Sequence, residues 1–159
     1  MRVTTIPDRY AALVEEADLE QRFRDAVPRV RELAEELASY GVTETLQHDD
    51  LHDGQVFVSG DRQLILDWGD AVISHPFFTL SVTLEGVVQW GLDDVEGSVD
   101  LEPLVAGYLG RYDPDRPELL GAVAPALRLG WAARAVNGTT AEDLQSTRNR
   151  LLMFLDGRT

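Results

Sequence analysis

The sequence of 159 residues contains no cysteine, and all fourteen of its basic residues are arginine. Without cysteine, a disulfide framework, an iron–sulfur cluster and thiol catalysis are excluded, and a zinc site would need histidine and carboxylate ligands alone. Such a composition fits a cytoplasmic protein. The N-terminus lacks the apolar core of a signal peptide. No apolar run approaches the length that crosses a bilayer, so we expect no membrane partner.

Positive charge is scarce throughout the chain. Asp and Glu number 28 against 14 Arg, which gives a formal net charge of −14. So acidic a surface disfavours nucleic acid and anionic lipid, and it favours metal ions, amines and basic peptides. Acidic proteins are also often simply soluble, so the charge alone decides no function. The length and the apolar fraction of 44% predict one domain with a sizeable core.

The hydrophobic pattern predicts a mainly helical α+β domain over residues 1–159 with one small β-hairpin. A helical period runs over residues 8–40, and Pro28 is expected to interrupt or restart that helix. Strand patterns over residues 55–59 and 63–68 flank a Gly-Asp turn and predict the hairpin. The following stretch, GDAVISHP, is expected to be a loop.

The remainder of the chain is predicted to be helical. We expect a buried helix that starts near Pro76, a second within residues 100–112, and a third that ends at Asn137. Thr139 or Thr140 is expected to cap the last helix. The aromatic side chains at helical spacing are expected to lie in the core; they are Phe77, Phe78, Trp90, Trp131 and Phe154.

The hairpin would gather polar side chains at one end. In an antiparallel pair, the start of the first strand and the end of the second lie side by side. Asp50 in the preceding loop, Gln55 and Asp67 are therefore expected to meet. Two carboxylates and an amide oxygen form a hard oxygen-ligand set suited to Mg²⁺. Asp49, Asp53 and other acidic residues nearby, such as Asp61, are expected to be surface charge.

Two strings in this region resemble a known family. HDDLHDGQ, residues 48–55, resembles the catalytic loop HGDLHxGN of the aminoglycoside phosphotransferase family, which is related to choline and homoserine kinases. LDWGD, residues 66–70, resembles the metal-binding I/L-D-W/F segment of that family, and residues 74–80 are similar to its GDPxxDLA helix start. The order of the two motifs parallels the protein-kinase pair of a catalytic loop and a D-F-G segment.

The resemblance implies a fold, an activity and a role for each residue. The chain would be the C-terminal lobe of a protein-kinase-like phosphotransferase, with a helical subdomain over residues 76–159. Asp50 would be the catalytic base, and Asp67 and Gln55 would hold Mg²⁺ against the phosphates of ATP, the co-substrate. His48 would be architectural, and His52 would shape the loop, with a substrate contact as the alternative.

The resemblance also implies an acceptor. Family members phosphorylate small hydroxyl compounds, many of them amines, and acidic residues of the C-terminal helices often bind those amines. Glu85, Asp93 and Asp94, with Glu96 beside them, stand where such contacts could form. A solvated acidic loop is the alternative for these residues.

Three positions depart from the family pattern. Gln55 replaces Asn, Asp49 replaces Gly, and Thr79 stands where Asp is frequent. The longer Gln side chain would loosen metal geometry, and Thr79 would remove any bond from that carboxylate.

The larger departure is a missing half. No Gly-rich strand pair and no strand lysine appear upstream of His48, so we expect these 159 residues to hold only the C-terminal lobe and to show little activity without a nucleotide-binding lobe. A separate lobe or a second copy of the chain is expected to cover an apolar face near the N-terminal helix. Alternatives are a degenerate lobe that binds a cationic ligand or a protein partner, and a structural helical domain with coincidental motifs.

Overall fold

The computed structural model describes residues 17–84, 100–137 and 144–157. The helices are α1 (Ala17–Ser39), α2 (its described part covers residues 79–84), α3 (Glu102–Tyr112), α4 (Leu120–Asn137) and α5 (Leu144–Leu155). The strands are β1 (Thr45–Gln47), β2 (Val56–Ser59), β3 (Arg62–Ile65) and β4 (Val72–Ser74). The described part of the chain is thus mainly helical with a small antiparallel content, which confirms the α+β prediction.

Helix α1 is continuous through Pro28, so the predicted interruption is wrong. Proline lacks the N–H that would bond one turn back, and inside a helix it destabilises by roughly 3 kcal/mol. Burial on both sides of the proline outweighs that loss. The buried residues of this helix lie on one stripe and are Leu19, Phe23, Val30, Leu33 and Leu37. The predicted first turns, before residue 17, lie outside the described residues.

The predicted hairpin is confirmed, with shorter strands. In β2 and β3, Val56 pairs with Ile65 and Ser59 with Arg62, and Gly60 takes a φ of 58° in the turn, where a side chain would be strained. The second strand ends before Asp67 because the backbone there turns into the left-handed region, at φ 56°.

A second antiparallel pair was not foreseen. β1 pairs with β4, with Thr45 opposite Ser74 and Gln47 opposite Val72. The stretch after the hairpin is therefore partly strand, and its prediction as a loop is wrong. Three-residue strands are too short to show alternation, and only the tertiary pairing reveals them.

Helix α4 lies at the centre of the helical core. It packs against α1, α3, α5 and the turn Pro76–Phe78. The stretch Pro117–Val136 is long and apolar enough to cross a membrane by length and composition, which corrects the expectation that no run approaches that length. Because 72% of it is buried inside the fold, it reads as a core helix.

The aromatic core is confirmed where it is described. Phe77, Phe78, Trp131 and Phe154 are buried, and the third predicted helix ends at Asn137 as expected. Trp90 and the predicted capping threonines lie outside the described residues.

A close approach on α4 leads to a first prediction. A Cβ at Gly130 would lie 3.1 Å from the Phe78 backbone oxygen and 2.9 Å from the Ser81 hydroxyl, which itself bonds that oxygen. Gly130→Ala should therefore destabilise the fold by about 1–3 kcal/mol, measured by urea unfolding.

The matched control is Gly107→Ala in α3. A Cβ at Gly107 meets nothing within 4 Å, so alanine should be neutral or stabilising by up to about 1 kcal/mol. Equal effects at the two glycines would contradict the close approach.

Candidate functional site

The loop over residues 48–55 is anchored by two hydrogen bonds, one at its first residue and one at Leu51. His48 is buried, and its Nε2 donates to the Leu66 carbonyl oxygen at 2.6 Å, while its ring lies 4.9 Å from that of Trp68. The Thr83 hydroxyl donates to the Leu51 carbonyl oxygen at 2.7 Å. The loop is thereby bound both to the segment 66–70 and to α2.

Asp50 is held from the centre of the core. Its Oδ1 accepts from Nη2 of Arg134, which reaches it from α4, 84 residues away in sequence. The Arg134 side chain is 11% exposed and that of Asp50 is 28% exposed, so the carboxylate is accessible while its cation is enclosed. Sequence reasoning missed Arg134, because no local pattern distinguishes it from the chain's other arginines.

Gln55 and Asp67 meet at the open end of the hairpin. Nε2 of Gln55 donates to Oδ2 of Asp67 at 3.4 Å, and the Leu66 N–H donates to the Gln55 carbonyl oxygen at 2.9 Å. The left-handed backbone at Asp67 ends the strand and begins the turn Trp68–Asp70. This contact agrees with the meeting of Gln55 and Asp67 expected from hairpin geometry. Asp50 was also expected beside them, but in the described contacts it pairs with Arg134.

The acidic and histidine side chains in the described part of the chain form no larger cluster. Within the described residues, no group of three or more His, Cys, Asp or Glu is placed to hold a metal ion. A magnesium ion at Asp67 and Gln55 would therefore take its other ligands from water and nucleotide phosphates, as Mg²⁺ commonly does.

His52 organises the turn that leads into β2. Its Nδ1 accepts from the Gly54 N–H at 3.1 Å, which starts the turn Asp53–Gln55. A Cβ at Gly54 would lie 2.8 Å from Cε1 of the same ring, so only glycine fits beside His52 without a shift. The arrangement agrees with the expected loop-shaping role, and within the described contacts His52 serves the loop itself.

Asp49 does not carry surface charge, and that prediction is wrong. Asp49 is only 6% exposed, and its φ of 63° places its backbone in the left-handed region. Glycine is the residue best suited to such a backbone, and aspartate is among the few others that adopt it readily. The departure from the family's Gly is therefore compatible with the loop. Asp53 and Asp61 are exposed, as predicted.

Two further polar residues tie the site to the core. The Thr79 hydroxyl donates to Oε1 of Gln47 at 2.9 Å, so this departure from the family's Asp supplies a contact between α2 and β1. His75 accepts from the Phe77 N–H at 3.2 Å and so caps the turn before α2. Burial lowers the pKa of His75 from 6.5 to about 4, so the ring is neutral at pH 7.

An exposed apolar face lies on the hairpin. No large apolar side chain in the described part of α1 is exposed, and the first predicted turns of that helix, where an open face was also expected, lie outside the described residues. Several of the exposed apolar side chains lie on the two strands of the hairpin, and we name these the hairpin surface: Val56, Phe57, Val58, Leu64 and Ile65. Glu85, Asp93, Asp94 and Glu96 lie outside the described residues.

Comparison with known proteins identifies the family. The model of the phosphotransferase enzyme family, APH, matches residues 4–121, well over half of the chain. The chain belongs to the phosphotransferase enzyme family. The match spans both motifs of this phosphotransferase-family chain and the helix that follows them.

A second similarity is more distant. This phosphotransferase-family chain is 26% identical over 142 residues to "Autophagy-related protein 2" of Aspergillus oryzae (strain ATCC 42149 / RIB 40). The alignment covers 87% of this chain but only 6% of that protein. No solved structure matches the chain.

Proposed function

We propose that this chain is the catalytic and substrate-binding lobe of an ATP-dependent O-phosphotransferase that acts on a small hydroxyl compound. The observation that carries the proposal is the contact between Gln55 and Asp67 at the end of the hairpin, with the Asp50 loop directly before it. Membership of the phosphotransferase enzyme family supports the same class of reaction.

The proposed base is Asp50. Its carboxylate is partly exposed, so it can accept a proton from an acceptor hydroxyl as the hydroxyl oxygen attacks the γ-phosphorus. His48 and His52 act on the loop that carries it, through their bonds to Leu66 and Gly54.

The proposed metal ligands are Asp67 and Gln55. Their donor chemistry fits Mg²⁺, because a carboxylate and an amide offer hard oxygen atoms. In the present geometry Gln55 turns its NH₂ group to Asp67, and a half-turn of the amide presents its oxygen instead. When bound, the ion would neutralise charge on the transferring phosphates.

Nucleotide binding is proposed to need a second lobe. The chain has no lysine that could pair with the phosphates, and the hairpin surface next to Asp67 is uncovered. A nucleotide-binding lobe outside these 159 residues, or a second copy of the chain, is the proposed partner for that surface. The net charge of −14 favours a cationic acceptor in the cytoplasm and disfavours nucleic acid or membrane partners.

The test is Mg²⁺-dependent ATP binding, measured by calorimetry with the nucleotide-binding lobe present. Asp67→Asn removes the charged oxygen ligand and should weaken that binding by at least about tenfold. The matched control is Asp61→Asn in the exposed hairpin turn, which should leave the affinity unchanged. Equal affinity in the wild type and Asp67→Asn would contradict the metal-ligand assignment.

Phosphoryl transfer from labelled ATP to a panel of hydroxyl compounds then tests the base. Asp50→Asn should lower the rate by roughly 10²–10⁴-fold. Asparagine is preferred to alanine because its amide oxygen can still accept from Arg134. Full turnover in Asp50→Asn would end the assignment of Asp50 as the base.

A non-catalytic binding module is the second candidate. Two contacts favour this candidate. Asp50 is already paired with Arg134, and Gln55 presents its NH₂ group, which cannot bind a metal ion, to Asp67. In that case the site would bind a cationic ligand or a protein partner. Metal-dependent ATP binding by the wild type would argue against it.

A further inference from the structure

The contact between Arg134 and Asp50 joins the site to the core helix. Asp50 lies on a loop of irregular structure, whereas Arg134 lies in the last turns of α4, within the buried centre of the fold. Helix α4 is therefore connected to the loop by the guanidinium group of Arg134.

The exposure of the two side chains decides what that group can do. The Arg134 side chain is 11% exposed, which is too enclosed to bind ATP phosphates or an anionic substrate directly. Asp50 is more open, at 28%, and Arg134 engages only its Oδ1. No contact among the described residues engages the second carboxylate oxygen, Oδ2, so it can accept from a hydroxyl.

We propose that Arg134 is a positioning residue for phosphoryl transfer, which it serves by fixing the orientation of the Asp50 carboxylate; this inference rests on the proposed function. The acceptor oxygen forms a bond to the γ-phosphorus, the bond from that phosphorus to the bridging oxygen of ADP breaks, and ADP leaves with the electron pair. The acceptor proton passes to Oδ2 of Asp50. Arg134 touches none of the reacting atoms and acts through Asp50.

The energetic reason is orientation. A misplacement of a reacting group by about 1 Å can lower a rate by roughly 100-fold. A carboxylate on a loop can rotate about two side-chain bonds, and the contact with the largely enclosed Arg134 guanidinium restricts that rotation. The effect should therefore fall on kcat, while binding of the acceptor is retained.

The first experiment measures kcat and KM for labelled ATP and the hydroxyl panel, with the nucleotide-binding lobe present. Arg134→Met should lower kcat by about 10- to 100-fold with the acceptor KM nearly unchanged, and Arg134→Lys should recover part of the loss. The matched control is Arg128→Met on the same helix, since Arg128 bonds the Phe154 carbonyl oxygen at 3.3 Å and stacks 5.5 Å from that ring. It should leave kcat unchanged.

The second experiment needs no turnover and uses the chain by itself. The changes in melting temperature caused by Asp50→Ala and by Arg134→Met should not add up in the double variant, because the two groups contact each other and alanine, unlike asparagine, removes the acceptor of that contact. Additive shifts would overturn the inference, since the pair would then not exist in solution.

The outcomes separate the inference from the proposed function. A wild type that transfers no phosphoryl group to any acceptor overturns the proposed function, and the inference falls with it. Transfer that is unchanged in Arg134→Met, or reduced equally in Arg128→Met, overturns the inference alone and leaves the proposed function standing.

Discussion

Replacement of Phe77 by alanine is expected to lower the free energy of unfolding by about 3–5 kcal/mol. The Phe77 side chain is fully buried, with its ring 5.0 Å from His75, 5.8 Å from Tyr108 and 5.3 Å from Tyr112. Its removal deletes apolar contacts and leaves a cavity that a well-packed core closes only partly. Urea unfolding followed by circular dichroism measures the change.

The matched control for Phe77→Ala is Phe57→Ala. Phe57 lies on the hairpin surface and is 54% exposed, so the same chemical change there should alter stability by less than about 1 kcal/mol. Similar losses at both positions would mean that the hairpin surface is covered in solution, and that result would contradict the exposure of the hairpin.

The second large effect is a loss of stability in mild acid that is due to His75. Its pKa is about 4 in the fold and 6.5 in the unfolded chain, because burial disfavours the charged ring. The unfolded state therefore binds the proton first, and stability falls as the pH drops from 6.5 to about 4. The full loss is up to about 3 kcal/mol, the difference between the two pKa values converted at 1.36 kcal/mol per unit.

Unfolding free energies from pH 7 to pH 4 test this assignment in the wild type and His75→Asn. Asparagine keeps an oxygen that can accept from the Phe77 N–H, as Nδ1 of His75 does, but it does not titrate. The variant should lose less stability than the wild type between pH 6.5 and 4, even if it is less stable at pH 7. Parallel curves would show that another group controls the acid response.

Periodicity and turn chemistry were enough to predict the helices and the hairpin. Gly60 supplies the left-handed turn residue, and the strands on either side are rich in branched and aromatic residues. Antiparallel pairing then required Gln55 and Asp67 to meet, whatever the rest of the chain did.

Features that depend on the tertiary structure could not be predicted in this way. The pairing of β1 with β4 and the ion pair between Arg134 and Asp50 both join segments far apart in sequence. Asp49 and Pro28 were misjudged for the same reason. In each case burial outweighed the propensity of the single residue. At Asp49 the carboxylate is buried in a tight loop, and around Pro28 a whole stripe of the helix is buried.

Both faces of the hairpin are exposed, so the part of the site that lies on the hairpin should be less rigid than the part that is bonded to the helical core. Every residue from 56 to 70 is exposed, so few packing contacts oppose local opening there. Backbone amides of β2 and β3 should thus exchange with deuterium through brief local openings, whereas those of α4 should require global unfolding. Asp50 is bonded to α4, where slow exchange is expected, and Asp67 follows the hairpin, where rapid exchange is expected. The fold of this chain therefore orders the proposed base, Asp50, whereas the proposed metal ligand, Asp67, should become ordered only when a partner binds the hairpin.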